Sequence, residues 1–278
     1  MSIRLSSVLR HGRSSSRIEV TRLRVAWLAI ALLLSCAALL VLFLPARWAL
    51  PFVQARLRGL TLDQVHGSVW NGAAGQVRDA DGKPLGQLQW QLARTALWGR
   101  LDLQLEFAGP ALAARGHLQR DGQGRPLWTG VVLRAGLAAW APRLDQLQGT
   151  PQGTLALTLQ HAVLQGGWPL ELRGHAHWSD AAIQASTGRV ALGNLDMDLT
   201  ATNGVLHGQL RDDGRGPLHV DGQWQASPLG WRLELLLQPR TADKVLRNWL
   251  ARLGPPDANG AIHLHRRGGL AATMETSP

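Results

Sequence analysis

The chain has 278 residues, 45% hydrophobic and only 17% charged, which excludes a disordered protein and leaves length for one large domain or two ordinary ones. Its net charge of +10 is uneven. Six arginines and Glu19 precede Pro45, and the remaining 23 basic and 18 acidic residues are spread over a far longer stretch, so no compact basic patch argues for nucleic acid. Cys36 is the only cysteine, which excludes a disulfide framework and thiol chemistry in the rest of the chain.

Residues 1–24 read as a short basic cytoplasmic tail. Residues 25–44, VAWLAIALLLSCAALLVLFL, form a run of 20 residues without a charge. That length matches the ~30 Å hydrocarbon core of a bilayer at ~1.5 Å per residue, so a transmembrane helix is predicted there. The arginines before it place the N-terminus in the cytoplasm and residues 46–278 across the membrane. A cleaved signal peptide fits less well: the run exceeds the usual apolar core of such signals, and no A-x-A site follows it.

Residues 45–270 are predicted to be one exported β-rich domain. After WALPFVQARLRGL, with a turn or two of amphipathic helix, period-2 alternation recurs. It places Leu88, Trp90 and Leu92 on one face of a strand, then Leu103, Leu105 and Phe107, then Leu155, Leu157 and Leu159. The same holds for Leu195, Met197 and Leu199, and for Leu233, Leu235 and Leu237. Each run is short and bounded by Gly, Pro, Asp or Asn, as in half-buried antiparallel strands. No long helices alternate with them, which argues against a parallel α/β fold. An antiparallel β-meander or extended sheet is therefore expected; whether it is open, sandwiched or closed is not set by alternation. Two blocks resemble one another, GHLQRDGQGRPLWTG from Gly116 and GQLRDDGRGPLHVDG from Gly208, each with an Asp-Gly hairpin signal. TADKVLRNWLARLG is the best helix, with Thr241 as cap and Val245, Leu246, Trp249, Leu250 and Leu253 on one face. Residues 271–278 are expected to be a disordered tail.

Catalytic and metal motifs are weak. His175 with His177, and His263 with His265, are two residues apart and share a strand face, but no third ligand with sensible spacing accompanies either pair. Ser68 in GSVWNG lacks the G-x-S-x-G turn of a hydrolase, and DGQGRP lacks the Lys-Ser/Thr of a phosphate loop. Asp196 with Asp198, and Asp212 with Asp213, read as structural carboxylates of a strand and a hairpin turn. Trp70, Trp90, Trp98, Trp128, Trp168, Trp178, Trp224 and Trp231 are expected to supply the core, the alternative being an apolar groove that holds a lipid chain or a partner strand.

The order LFLPARW, LTLDQVHGSVWNGAAGQV, LGQLQWQLARTALWGRLDLQLEF, GHAHWSD, LELLLQPR, LRNWLARLGPPDANGAIHLHRRG resembles the N component of the bacterial type II secretion system, from about residue 25 to 270. Its most specific pieces are the G-[ST]-x-W-x-G unit with Gly67, Trp70 and Gly72, the block holding Trp90, Trp98 and Gly99, and the final segment with Leu250, Gly254 and Gly260. The resemblance implies a non-enzymatic inner-membrane protein with a periplasmic β domain and without cofactors. Its partners would be other secretion components, and it would help the inner-membrane platform engage the outer-membrane secretin so that folded periplasmic proteins are exported. An extended sheet with one apolar face also resembles bridge-like groove proteins that move lipids, which leaves lipid binding in envelope maintenance as the alternative.

Overall fold

The computed structural model describes residues 27, 32–36, 42–54, 59–139, 149–186 and 188–269. The chain divides into two compact units, Met1–Pro45 and Ala46–Pro278. In the first, residues 32–36 are helical. The tails 1–24 and 271–278 and much of the predicted span 25–44 lie outside the described residues, and no helix among the described residues is long and apolar enough to cross a membrane.

The second unit opens with helix α1 (Ala46–Gln54), which turns Ala46, Ala49 and Leu50 inward at helical spacing and leaves Trp48 exposed. Next come β1 (Thr61–Gly67), β2 (Asn71–Arg78), β3 (Pro84–Leu92), a 3-10 turn (Arg94–Trp98) and β4 (Asp102–Ala108). β5 (Leu112–Arg120), β6 (Pro126–Gly136), β7 (Thr150–Gln165), β8 (Trp168–Ala185) and β9 (Gly188–Thr202) form the middle. β10 (Val205–Asp212), β11 (Leu218–Ser227), β12 (Gly230–Pro239), helix α2 (Lys244–Leu253) and β13 (Ile262–Gly269) complete it. All 13 strands lie in one antiparallel sheet in chain order, with β1 and β13 as its ends. The predicted meander is therefore an open sheet. Short connections make this arrangement natural, because each strand pairs with the one just before it.

The central strands are longer than alternation suggests: β7 has 16 residues, β8 has 18 and β9 has 15. The reason is visible in β7. A bulge between Leu159 and His161 puts Leu159 and Ala162 on one face, opposite Gly174 and Leu172. One extra residue breaks a period of two, so a continuing strand looks like a strand end.

Three turns share one construction. Asp79, Asp121 and Asp257 each begin D-x-x-G, and each carboxylate accepts the amide two residues on and the amide four residues on, at 2.8 to 3.0 Å. The glycine at the fourth position, Gly82, Gly124 or Gly260, has φ of +79°, +77° or +76°. Glycine is the residue that adopts that conformation without steric cost.

The larger buried cluster sits beneath α2. Leu246, Trp249 and Leu250 pack with Ile183, Val190, Leu192, Leu195, Leu218, Val220, Leu237 and Ile262, with Val245 and Leu253 at its margin. The predicted apolar face of this helix is therefore the buried one. Its cap is Asp243 rather than Thr241: the Asp243 carboxylate accepts the Val245 amide at 2.8 Å. Asp243→Ala should cost about 1 kcal/mol and lower Tm by about 2–4 °C, measured by thermal denaturation.

Candidate functional site

Strand register lines up one apolar row across the entire sheet. Val65 pairs with Ala74, Ala74 with Leu88, Leu88 with Phe107, Phe107 with Ala114, and Ala114 with Leu133. The row continues through Leu157, Ala176, Met197, Leu210 and Gly222 to Leu235 and Leu264. Every one of the 13 strands contributes an apolar residue or glycine to it. Directly paired residues share a face, so this is a continuous strip, about 58 Å long at the usual ~4.8 Å between strands.

The two α-helices leave most of that strip uncovered. α1 packs on β1, and α2 packs on β9, β12 and β13. Between them Leu105, Phe107, Leu133, Leu157, Met197 and Leu199 are only half-buried. The opposite face is polar, carrying residues such as Glu106, Arg115, Thr158, His175, Asp198 and Gln209.

Beside this row the large side chains lie down on glycines. Trp90 of β3 rests on Gly72 of β2, so a Cβ at Gly72 would come within 2.5 Å of the indole. Trp90 Nε1 reaches past it to donate to the Val69 carbonyl at 3.2 Å. Trp224 of β11 covers Gly208 of β10 in the same way, and its Nε1 points at the Met197 sulfur of β9 at 3.3 Å. Leu159 lies on Gly174, and Leu235 on Gly222. A strand glycine normally weakens a sheet; here its missing side chain is the seat for its neighbour. Other indoles also find acceptors: Trp168 donates to Gly204 at 2.7 Å and Trp178 to Gln152 at 2.8 Å. Among the described residues, Trp249 Nε1 is buried without a partner.

The expected tryptophan core is therefore corrected. Trp70, Trp90, Trp128, Trp168, Trp178 and Trp224 are half-buried, Trp98 is 77% exposed and Trp231 is 48% exposed, while Trp249 on α2 is the one tryptophan among the described residues that lies in the buried core. A tryptophan on an uncovered sheet face keeps one side of its ring in the open, however well its N–H is satisfied.

At the α1 end the strip deepens into a half-open cavity of about 240 Å³. Ala46, Ala49 and Leu50 of α1 line it together with Leu62, Val65, Leu88, Trp90, Leu103 and Leu105 of the sheet, all apolar. Leu92 and Leu103, which also line it, flank the turn that joins β3 to β4. That turn carries exposed Leu97 and Trp98 between exposed Arg94 and Arg100. Gly99 ends it with φ +78°, its amide donating to the Ala96 carbonyl at 3.1 Å.

The other residues singled out from the sequence fall in structural places. Gly67 has φ +83° and faces the Asn71 carbonyl, so it makes the β1–β2 turn. Trp70 sits in that turn, and its carbonyl accepts the Leu92 amide at 2.7 Å. Leu250 is buried on the inner face of α2. Gly254 is extended at φ 176°, and a Cβ there would press on Ile262 at 3.3 Å. Trp90→Ala, which empties a seat beside the cavity, should cost about 3 kcal/mol, against about 1 kcal/mol for Trp70→Ala, measured as the difference in unfolding midpoint.

His175 and His177 meet Asp196 and Asp198 at hydrogen-bond distance on the polar face. His175 meets Asp198 at 3.0 Å through Nδ1 and Asp196 at 3.1 Å through Nε2, and His177 meets Asp196 at 2.8 Å. Both ring nitrogens of His175 are thus committed to carboxylates. Asp212 is the exception to the surface pattern, with its side chain only 2% exposed at the end of β10. It accepts from Arg240, from His219 at 2.8 Å and from the Val220 and Gly214 amides at 2.9 and 2.8 Å. Burial by itself would raise its pKa, but those donors together hold the carboxyl well below the ordinary 3.8.

Sequence reasoning missed the seats at Gly174, Gly208 and Gly222 and the exposed arginines of the β3–β4 turn, Arg94 and Arg100. The available signal was a glycine on the apolar register of an alternating strand, a position that needs a large neighbour.

Comparison with known proteins gives a consistent result. The family model "Type II secretion system (T2SS), protein N" matches residues 58–265, the span that forms nearly the whole sheet. The Type II secretion system protein N of Vibrio cholerae is 27% identical over 244 residues, covering 83% of this chain and 92% of its own. That of Aeromonas hydrophila is 26% identical over 258 residues, covering 87% of this chain and 97% of its own. No solved structure matches. An uninterrupted match from before β1 into β13 means that this chain belongs to the type II secretion system protein N family.

Proposed function

We propose that the protein is a non-enzymatic component of a type II secretion system, anchored in the inner membrane by residues 25–44 with its sheet in the periplasm. There it helps the inner-membrane platform engage the outer-membrane secretin, so that folded periplasmic proteins are exported. The observation that carries this reading is the family match over the 13-stranded sheet. The charge distribution supports the orientation, because arginines crowd one side of the apolar run. Tethering by one span would hold the sheet at high effective concentration beside membrane-bound partners. The sheet ends β1 and β13 offer backbone donors and acceptors to a partner strand.

The test is deletion of the gene followed by measurement of a folded secreted protein in the medium and in the periplasm. Periplasmic accumulation restored by the intact gene is expected. Normal export with normal secretin and platform levels would overturn the proposal. An alkaline phosphatase fused after residue 278 should be active, and an inactive fusion of normal abundance would reverse the orientation.

A further inference from the structure

The uncovered strip constrains what lies on it. It offers no side-chain N–H, O–H or oxygen along the row from Val65 to Leu264, where the one polarisable atom is the Met197 sulfur already met by Trp224 Nε1, so an occupant has to be apolar along its length. Its floor is also smooth beside that row. Trp224 and Leu159 lie over Gly208 and Gly174 there, as Leu235 lies over Gly222 within the row, and they fill the hollows where a partner protein's side chains would interlock. Protein interface cores depend on such interlocking, whereas a fluid hydrocarbon chain adapts to a shallow trough.

The cavity beneath α1 adds charge and position. Next to its lining residues Leu92 and Leu103, the β3–β4 turn carries exposed Trp98 between Arg94 and Arg100, and neither arginine pairs with a carboxylate among the described residues. A large amphipathic ring next to cations is the composition of a surface at the level of lipid head groups. Ala46, which lines the cavity, follows Leu44, the last residue of the apolar run, by two positions. At about 58 Å the strip exceeds the length of an acyl chain, which spans about half of a ~30 Å hydrocarbon core.

We propose that the apolar face is a binding track for glycerophospholipid. An acyl chain occupies the cavity beneath α1 and continues along the cross-strand row, and Arg94 and Arg100 meet the anionic phosphate. The proposal rests on the membrane tether proposed above for its supply of lipid, but not on the role in secretion.

The test uses the full chain in cells labelled with [32P]orthophosphate. Leu105 in the cavity or Leu157 in mid-strip is replaced by photoreactive p-benzoylphenylalanine, as are Glu106 and Thr158 on the opposite face. After irradiation and purification, positions 105 and 157 should carry label, and 106 and 158 should not. Arg94→Glu with Arg100→Glu should lower the label at 105 by roughly ten-fold or more, since each charge near a lipid surface contributes about 1 kcal/mol. Equal labelling on both faces, no labelling, or an unlabelled adduct to another protein or a second copy would each overturn the track. Unsubstituted protein extracted in mild detergent provides a second measurement: bound phosphatidylglycerol or phosphatidylethanolamine is expected, and folded protein free of phospholipid sinks the proposal. Export assayed in the same strains separates the two readings. Lost labelling with export intact removes only the track, and labelling in a deletion-insensitive secretor removes only the secretion role.

Discussion

Asp212→Ala should be among the most damaging single substitutions in the sheet, costing about 3 kcal/mol and lowering Tm by about 6–12 °C. The carboxylate closes the β10 end and is 2% exposed, and it ties β10 to β11, to the turn between them and to the residue that follows β12. Arg240 follows β12, His219 and Val220 belong to β11, and Gly214 lies in the turn between β10 and β11. Removing the acceptor strands two backbone amides and a guanidinium that were arranged around it. Arg240 and His219 are each about one-third exposed and can recover some hydration, which keeps the loss nearer 3 than 5 kcal/mol. Asp212→Asn, which keeps one acceptor oxygen and loses the charge, should fall between the two. The pH dependence has a definite sign. A carboxyl whose folded pKa is depressed contributes stability that is present above its unfolded pKa and is lost as pH falls toward the folded value. The wild type should therefore lose this contribution progressively as pH drops below about 4, and Asp212→Ala should show a flatter acid limb. Urea midpoints of both proteins across that range decide it; parallel acid limbs would remove Asp212 as the linkage site.

The same residue shows how far the sequence could be read. Asp212 and Asp213 were recognisable as structural carboxylates near a hairpin turn, but nothing local distinguishes the buried member from its exposed neighbour. That difference comes from Arg240, which reaches Asp212 only because β10, β11 and β12 are adjacent. Alternation was a good guide to face, since Leu88, Trp90 and Leu92 do share one side and Leu155, Leu157 and Leu159 share another strand's same side. It failed at bulges, where β7 changes phase, and it could not say whether anything covers the apolar face. The expectation that tryptophans form the core assumed a second layer. In a sheet on which the described helices pack at two places, the same side chains become a surface, and their burial stops halfway.

The seat beneath Trp224 supplies the second large effect, and it is a coupling rather than a single loss. In the wild type, Gly208→Ala should cost about 2 kcal/mol or more, because the new methyl falls inside the indole and the ring cannot back away without leaving Met197. Trp224→Ala should cost about 2 kcal/mol by itself, less than a fully buried tryptophan because one side of the ring is open. In the double variant the methyl at position 208 meets no ring. There the glycine replacement should cost nothing, or stabilise by about 0.5–1 kcal/mol, because alanine loses less backbone freedom than glycine in a strand. The cycle then yields a coupling of about 2 kcal/mol between two residues on adjacent strands, within the range for side chains in direct contact. Urea denaturation of the four proteins measures it. Equal costs of Gly208→Ala in both backgrounds would mean that the glycine serves its own backbone and not the tryptophan. A strong coupling would show that glycine and tryptophan act as one unit: the glycine is there so that the ring lies flat, and the flat ring keeps the apolar face a trough instead of a row of projecting side chains.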